Sequence, residues 1–299
     1  MLWLLCCLPV VTGCIREEEY ANDPVGNFEQ LWKIIDERYC FLEEKGIDWD
    51  AVHDKYGKLV KPGISDDDLF DILSQMLYEL KDGHVNLSSS SRISYYDAWY
   101  QGYPWNYRED ILYNYYLGSA SSGYRTSAGL KYKIFDNNIG YINLSTFSGN
   151  PSKEFKQAFL DLKKRGMTSL VIDLRNNGGG LLDESIEIAN FFLPRGKTLV
   201  TTKGKIKQAS NTYKTLREPL DLEIPLAVLV NGGTASSSEI LAGSLQDLDR
   251  AVIIGNRTFG KGLVQTTRPL PYGGTMKLTT SKYYIPSGRC VQALSLIHI

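Results

Sequence analysis

The sequence has little cysteine and histidine, and it has almost no net charge. Its 299 residues include five cysteines and three histidines, and 33 basic residues nearly balance 34 acidic ones. Three of the cysteines lie within the first fifteen residues, so the spacing predicts neither a disulfide framework nor a zinc site. We do not expect a bridge between Cys40 and Cys290. The balanced charge gives no electrostatic case for binding nucleic acid.

The most apolar stretch, MLWLLCCLPVVTGC at residues 1–14, is too short for a stable membrane-spanning helix. It contains about a dozen apolar residues, whereas a spanning helix needs about 20. Such a run is typical of a secretory signal peptide. Residues 11–14, VTGC, resemble a bacterial lipobox, and an apolar segment that ends by chance in Gly-Cys is the alternative. The lipobox implies lipidation at Cys14, a membrane anchor, and a place in the cell envelope, in the periplasm or at the outer-membrane surface.

Composition and pattern divide the rest of the chain into segments. Residues 15–26 are polar and are predicted to be a tether, and residues 27–87 form a predicted N-terminal helical domain. A Tyr-rich insert is predicted at 88–130, followed by the main domain at 131–293. The last six residues, LSLIHI at 294–299, match the translation of a sequencing-library adapter. We therefore expect this tail to be non-native and the main domain to be truncated.

Two hydrophobic periods distinguish the helical domain from the main domain. In FEQLWKIIDERYCFL, from residue 28, apolar residues recur at helical spacing, and Ser65 before three aspartates is typical of a helix N-cap. In the main domain, KYKIFDNNIGYINLSTF predicts a hairpin that turns at Asn137-Asn138. SLVIDLR, PLAVLVN and AVIIGN predict short strands separated by amphipathic helices. This alternation predicts an α/β core with a largely parallel sheet.

Residues 231–240, NGGTASSSEI, place three serines between a predicted strand and a predicted helix. Backbone N–H groups collect at a helix N-terminus, where they stabilise an oxyanion. The same letters fit a capping box, with Ser236 as the cap and Glu239 reaching back. Taken alone, the stretch leaves a nucleophile and a helix cap as open alternatives.

Two further stretches follow predicted strands. TFGKGLVQ, at 258–265, holds Lys261 between two glycines. A buried lysine has a lowered pKa and can deprotonate a serine, and Gln265 could hold that lysine by a hydrogen bond. DLRNNGGG, at 173–180, places three glycines before a helix, where amides can bind an oxyanion or a peptide backbone. A surface-loop lysine and a helix-entry turn are the structural alternatives.

Seven segments, taken in order, resemble the carboxyl-terminal processing and tricorn-type serine peptidases of the S41 type. They span most of residues 27–292: FEQLWKIIDERY, MLYELKDGHV, IGYINLSTF, LVIDLRNNGGG, VLVNGGTASSSEILAGSLQD, IIGNRTFGKGLVQ and MKLTTSKYYIPSGR. The resemblance implies a Clp-protease/crotonase-like core of ββα units with an N-terminal helical domain. It also implies a serine endopeptidase that cuts extended or unfolded peptides through a Ser-Lys dyad and an acyl-enzyme, with no metal or cofactor.

The resemblance also assigns roles to single residues. Ser236 becomes the nucleophile, because the family's nucleophile precedes the lysine by twenty-five residues and Ser236 does so here. Lys261 becomes the general base and Gln265 its partner. The implied oxyanion donors are the backbone N–H groups of Gly178, Gly179 and Ser237.

Two features depart from the family's pattern. Processing peptidases carry a PDZ domain before the core, but residues 88–138 are too few and lack its pattern. The aromatic stretch YYDAWYQGYPWNY, at 95–107, is interpreted as a lid or substrate wall, or as an exposed structural loop. His84 stands where tricorn-type relatives carry a histidine base. Lys261 is favoured as the base because its FGKG context is retained.

Three alternative functions stay open at this point. One is a tricorn-type peptidase that uses His84 as its base. Another is a catalytically inactive peptide-binding module of the same fold, and the last is an acyl-CoA enzyme of the crotonase-like fold. His53, in a charged helical stretch, is predicted to be a surface residue.

Overall fold

The structure is a computed structural model, and it describes residues 20–97, 107–119, 121, 123–127, 130–271 and 273–292. The predicted signal peptide with Cys14, the tail at 294–299 and most of the aromatic stretch 95–107 lie outside the described residues. Within the described ranges, no helix combines the length and the apolar character that crossing a membrane requires.

Three helices form the N-terminal unit: α1 (Pro24–Arg38), α2 (Trp49–Gly57) and α3 (Asp66–Tyr78). Helix α1 begins inside the predicted tether because Asp23 caps it, accepting the Gly26 N–H at 2.7 Å, and Pro24 suits the first turn. The predicted cap of α3 is confirmed, since Ser65 Oγ accepts the Asp68 N–H at 3.1 Å. The sequence signals for these helix starts are therefore local capping contacts.

The other described helices are α4 (Glu109–Ile111), which continues into a π-helix at Leu112–Leu117, α5 (Pro151–Lys164), α6 (Leu182–Asn190) and α7 (Ser237–Asp247). The strands, in chain order, are β1 (Asn86–Ser88), β2 (Arg125–Ser127), β3 (Leu130–Phe135), β4 (Ile139–Asn143), β5 (Ser169–Asp173), β6 (Thr198–Gly204), β7 (Asn211–Lys214), β8 (Leu226–Val230), β9 (Val252–Gly255), β10 (Leu263–Pro269) and β11 (Thr275–Tyr284).

A six-stranded sheet in the order β2-β3-β4-β5-β8-β9 forms the centre of the main domain. Strands β4, β5, β8 and β9 run parallel, and β2 and β3 are antiparallel additions. The predicted hairpin is confirmed: β3 and β4 are joined through Asn137 and Asn138, whose positive φ values of 59° and 60° asparagine tolerates well. The predicted α/β core with a largely parallel sheet is thus confirmed.

The two faces of this sheet have different partners. On the inner face, Ile142, Ile172 and Val228 are fully buried in a core that helices α5, α6 and α7 complete. On the outer face, Tyr141 and its neighbours pack against the Leu112–Leu117 segment of the insert. Because the central strands are covered on both faces, their sequences read as continuous apolar runs.

The sequence did not indicate the second sheet, which has the order β1-β11-β6-β7 with β10 also paired to β11. Leu263 and Leu278 of this sheet are buried in the same cluster as Phe28 and Leu31 of α1. The N-terminal helices and the β10–β11 hairpin therefore share one hydrophobic core. The chain leaves β9 and enters β10 through residues 256–262, which contain Lys261.

The described cysteines and one histidine lie in structural positions. Cys40 and Cys290 are both free, as expected, and burial raises the pKa of the Cys40 thiol to about 12. His53, which was predicted to be a surface residue, is partly exposed, with 30% of its side chain accessible. Its ring packs against Phe28 at 5.0 Å between centroids, and Nε2 contacts the Glu29 carboxylate at 3.0 Å. This histidine thus joins α2 to α1.

Candidate active site

Ser236 lies at a sharp turn between a strand and a helix. The chain leaves β8 at Val230 and enters α7 at Ser237, and Ser236 between them has φ 58° and ψ −120°. A serine with positive φ is strained, and such strain is concentrated at functional sites. The strand–turn–helix arrangement is that of a nucleophile elbow, which presents a side chain at the edge of a parallel sheet.

The structure distinguishes the three consecutive serines by their hydroxyl groups. Ser237 Oγ donates to the Gly180 carbonyl at 2.9 Å, and Ser238 Oγ donates to the Asn177 carbonyl at 2.9 Å. Both therefore tie helix α7 to residues 176–180, which we call the glycine loop. In the part of the chain that the structure describes, Ser236 Oγ donates no hydrogen bond. Ser236 is the serine whose hydroxyl remains available for chemistry.

Glu239 joins the serine turn, residues 231–236, to the lysine loop, residues 256–262. Its side chain is fully buried, and one oxygen, Oε2, accepts the N–H groups of Ser236 at 2.9 Å and Lys261 at 2.8 Å. The other oxygen, Oε1, accepts the Gly260 N–H at 2.8 Å and the Thr258 hydroxyl at 2.6 Å. Burial raises the pKa of Glu239, and the four donors act in the opposite direction. The predicted reach of Glu239 back to the cap is confirmed, but its contacts with the lysine loop were not foreseen.

Tyr283, on β11, makes a second link between the same two residues. Its hydroxyl lies 2.5 Å from the Lys261 carbonyl and 3.1 Å from the Ser236 carbonyl, and its single proton can be donated to one of these oxygens at a time. The side chain is buried, and burial raises the pKa of Tyr283 well above its ordinary value, so the hydroxyl stays a donor. Glu239 thus holds the N–H groups of Ser236 and Lys261, and Tyr283 holds their carbonyls.

Lys261 has the environment that a lysine base requires. Burial lowers the pKa of Lys261, the charge of Lys277 lowers it further, and the carboxylates of Glu239 and Asp82 oppose both. A lowered pKa increases the fraction of neutral amine that can accept a proton. The predicted bond to Gln265 is not formed among the described residues. Gln265 follows a bulge in β10, and its Nε2 is buried without an acceptor.

The glycine loop is fastened to the serine turn by asparagines. Asn176 N–H donates to Asn231 Oδ1 at 2.9 Å, and Asn231 Nδ2 donates to Asn176 Oδ1 at 2.8 Å. The Gly179 N–H donates to Asn177 Oδ1 at 2.9 Å. Of the three predicted oxyanion donors, the Gly179 amide is therefore occupied in this conformation. The amides of Gly178 and Ser237 remain as the candidate donors.

The close approach of Gly179 to the nucleophile gives a testable prediction. Gly179 has φ +94°, and a Cβ added there would lie 2.7 Å from the Ala235 carbonyl and 2.8 Å from Ser236 Cβ. We expect Gly179→Ala to displace the turn and lower kcat/KM for peptide cleavage by about 10²-fold or more.

The comparison variant is Gly178→Ala, where an added Cβ would meet no atom within 4 Å. It keeps the backbone amide, and the expected loss is only about threefold. Steady-state kinetics of both variants on one peptide test the difference. Equal losses would contradict the assigned geometry.

His84 forms a pair with Asp82 beside the second sheet. His84 Nδ1 lies 3.2 Å from Asp82 Oδ1, and Asp82 Oδ2 accepts the Tyr39 hydroxyl at 2.9 Å and the Thr279 hydroxyl at 3.2 Å. Burial acts to raise the pKa of Asp82, but the contacts with His84 outweigh it and hold that pKa below its usual range. A carboxylate that orients a histidine is a base arrangement in other enzymes. Lys261 has the stronger link to Ser236, because the two residues share Glu239 and Tyr283.

A partly buried ion pair fixes the start of the glycine loop, and the sequence did not reveal it. Arg175 Nε and Nη2 donate to the two oxygens of Asp173 at 2.9 and 2.7 Å, and the Tyr141 hydroxyl donates to Asp173 at 2.5 Å. Asp173 is fully buried at the carboxyl end of β5. The position of Asp173 and Arg175 in DLRNNGGG was the only sequence signal, since the tyrosine comes from another strand.

Models of two known families match separate parts of the chain. The model of peptidase family S41 matches residues 138–296, and the model of the tricorn protease C1 domain matches residues 20–78. A probable CtpA-like serine protease of Staphylococcus aureus (strain N315) is 43% identical over 155 residues. This match covers 51% of the chain and 31% of the relative, so the chain spans about a third of that protein's length.

Solved structures support the fold. A putative peptidase from Parabacteroides merdae ATCC 43184 has a TM-score of 0.71 and 33% identity, over 93% of this chain and 89% of that one. A photosystem II D1 C-terminal processing protease has a TM-score of 0.69 and 24% identity, over 92% of each chain. The second similarity concerns the fold alone. Together the two structures confirm the predicted fold class.

Proposed function

This chain belongs to peptidase family S41, and on that premise we propose that it is a serine endopeptidase that cuts extended or unfolded peptides. The observation that carries the proposal is the double link between Ser236 and Lys261. Glu239 accepts both backbone N–H groups and Tyr283 contacts both carbonyls, so the backbones of the candidate nucleophile and base are held close together. A binding module would not require this constraint on a strained serine.

In the proposed reaction, Ser236 Oγ attacks the scissile carbonyl carbon and Lys261 Nζ takes the hydroxyl proton. The oxyanion is stabilised by the amides of Gly178 and Ser237. Lys261 then returns the proton to the leaving amine, the C–N bond breaks, and an acyl-enzyme forms on Ser236. Lys261 next takes a proton from water, which attacks the ester carbonyl carbon. As the bond between that carbon and Ser236 Oγ breaks, Lys261 returns the proton to Oγ and the second product leaves.

The proposal is tested by casein or peptide-library cleavage with the wild-type chain and two serine variants. We expect Ser236→Ala to lose at least about 10⁴-fold in kcat/KM, because the nucleophile is gone. Ser237→Ala keeps its backbone amide and loses one hydrogen bond to Gly180, so about a tenfold loss or less is expected. Full activity in Ser236→Ala would refute the proposal. A folded wild type that binds peptides without cutting them would favour the inactive binding module.

The charge of Lys277 gives a prediction for the pH dependence. Cleavage should increase with pH as Lys261 loses its proton, and the positive charge of Lys277 lowers the pKa of Lys261. Removing that charge raises this pKa, so Lys277→Gln should move the acidic limb of the kcat/KM profile to higher pH, and Lys277→Glu should move it further. Lys277 is exposed, so folding should not suffer. Lys214→Gln, an exposed change on β7, is the control. If the acidic limb of the kcat/KM profile does not move in either Lys277 variant, the result counts against Lys261 as the base.

We further propose that a lipid on Cys14 anchors the chain in the bacterial cell envelope. The support is the similarity of residues 11–14, VTGC, to a lipobox after an apolar run. In a bacterial host, Cys14→Ala should move the protein from the membrane fraction to the soluble fraction, as measured by fractionation and immunoblotting. Unchanged membrane association of Cys14→Ala would contradict the anchor.

A further inference from the structure

A cavity of about 670 Å³ lies between the insert and the outer face of the six-stranded sheet. Its floor is formed by Tyr141, Val171 and Leu229, and its roof by Tyr107, Ile111 and Tyr116. We propose that this insert cavity binds bulky apolar side chains of the peptide substrate and thereby selects which segments are cut. The proposal rests on the proposed peptidase function and adds the substrate class to it.

The floor of the insert cavity is a regular part of the sheet. Tyr141 pairs with Val171 across β4 and β5, and Asp173 pairs with Leu229 across β5 and β8. Side chains two residues apart on a strand point to the same face, so Val171 and Asp173 share the outer face. The cavity therefore begins at the carboxyl ends of the parallel strands, where the loops with Ser236 and the glycines also begin.

The roof is fastened to the sheet at several points. Leu112 and Leu117 are buried against Tyr141, and Lys133 Nζ donates to the carbonyls of Tyr116 at 3.2 Å and Leu117 at 3.3 Å. Residues 112–117 form a π-helix. This conformation is rare in proteins, and where it occurs it is often at a functional site. The roof is thus held over the sheet by its own apolar and polar contacts.

The charges at the cavity favour a neutral, apolar occupant. Both guanidinium groups that line it are already paired with aspartates: Arg175 with Asp173, and Arg108 with Asp110 at 2.5 and 3.0 Å. A carboxylate or phosphate would have to compete with these partners. The volume exceeds that of one aromatic ring, since a cavity of about 150 Å³ binds benzene. It also falls within the range of about 300–1,000 Å³ found for ligand sites.

Arg175 connects the insert cavity to the candidate active site. Its guanidinium lies 5.3 Å from the centre of the Tyr107 ring in the roof, and it lies at the start of the glycine loop. Four residues later, Gly179 approaches Ser236 closely enough that a Cβ would lie 2.8 Å from Ser236 Cβ. Four residues of extended chain span at most about 14 Å, at up to about 3.6 Å each. A peptide bound at Ser236 can therefore place side chains a few residues from the cut in the cavity.

The roof belongs to a part of the chain outside both family matches. Those matches cover residues 20–78 and 138–296, whereas the roof residues lie between 107 and 116. The floor residues lie inside the S41 match. The cavity thus combines a sheet inside the S41 match with a roof outside both family matches.

Peptide binding to the Ser236→Ala chain tests the proposal without catalysis. Two fluorescent peptides are compared, identical except that one carries two phenylalanines where the other carries two serines. We expect the phenylalanine peptide to bind at least about tenfold more tightly by fluorescence anisotropy. Adding Tyr116→Ala, which opens the roof, should remove most of this preference. Adding Tyr115→Ala should leave it intact, because Tyr115 is 79% exposed and does not line the cavity.

A second variant distinguishes the loss of an apolar binding surface from a general loosening of the roof. Ile111→Asp places a charge at the half-exposed roof and should abolish the phenylalanine preference, with an unchanged melting temperature. Equal affinity for the two peptides, or equal effects of Tyr115→Ala and Tyr116→Ala, would overturn the proposal. If wild type cuts no peptide but the preference is present, the peptidase proposal fails and the cavity stands as a peptide site. If wild type cuts both peptides equally well, the cavity proposal fails alone.

Discussion

Lys261→Ala is expected to lower kcat/KM for peptide cleavage by at least about 10³-fold, whereas His84→Ala keeps activity within about tenfold of wild type. The reason is the position of Lys261, whose N–H and carbonyl share Glu239 and Tyr283 with Ser236. Burial also lowers the pKa of Lys261 toward the range in which an amine accepts protons. His84 instead contacts Asp82, whose other oxygen binds the side chains of Tyr39 and Thr279.

The two variants should be compared on one fluorogenic peptide over a range of pH, with melting temperatures as the folding control. Lys261→Arg is the matched variant, because it keeps a long cationic side chain that cannot lose its proton, and it should be as inactive as Lys261→Ala. The opposite pattern, an inactive His84→Ala beside an active Lys261→Ala, would establish the tricorn-type base.

Glu239→Gln is expected to lower both stability and activity, although it removes only a charge and one acceptor. The carboxylate accepts four hydrogen bonds, two at each oxygen. A glutamine has an NH₂ group in place of one of these oxygens, so its NH₂ would face two donors. Leaving buried donors unpaired costs about 1–3 kcal/mol each. We expect the free energy of unfolding to decrease by about 3 kcal/mol and kcat/KM to decrease by at least about 10²-fold.

Urea unfolding and peptide kinetics measure these two effects. Glu223→Gln, at an exposed carboxylate, is the matched control and should change neither. Normal activity in Glu239→Gln would show that the shared carboxylate does not position Ser236 and Lys261.

Those parts of the fold that have local signals could be predicted from the sequence. Strands β5 and β8 have one face buried in the core and the other partly covered by the insert, and so appear as apolar runs. The β3–β4 hairpin has an Asn-Asn turn. The second sheet lacks such signals. Its longest strand, TMKLTTSKYY at 275–284, is rich in polar residues, and it pairs with strands far away in the sequence. Its register depends on tertiary packing, which a single sequence does not show.

The candidate active site also contains residues that could be predicted from the sequence and residues that could not. Ser236 and Lys261 stand in glycine-rich turns after strands, and family resemblance then selects them. Tyr283 lies 47 residues from Ser236 and on an unpredicted strand, so its hydroxyl could not be assigned. Asp82 reaches Thr279 across 197 residues of sequence. The contact of Glu239 with the Ser236 cap could be predicted because it is local, but its bonds to Thr258, Gly260 and Lys261 depend on how two loops meet.

The central claim is that Ser236 is a nucleophile activated by Lys261, and covalent labelling tests it most directly. The wild-type chain and its Lys261→Ala and His84→Ala variants would be treated with a fluorophosphonate, and the adduct located by peptide mass spectrometry. The account predicts one adduct on Ser236 in wild type and His84→Ala, and none in folded Lys261→Ala. An adduct on Ser237 or Ser238, or equal labelling of Ser236 in Lys261→Ala, would contradict it.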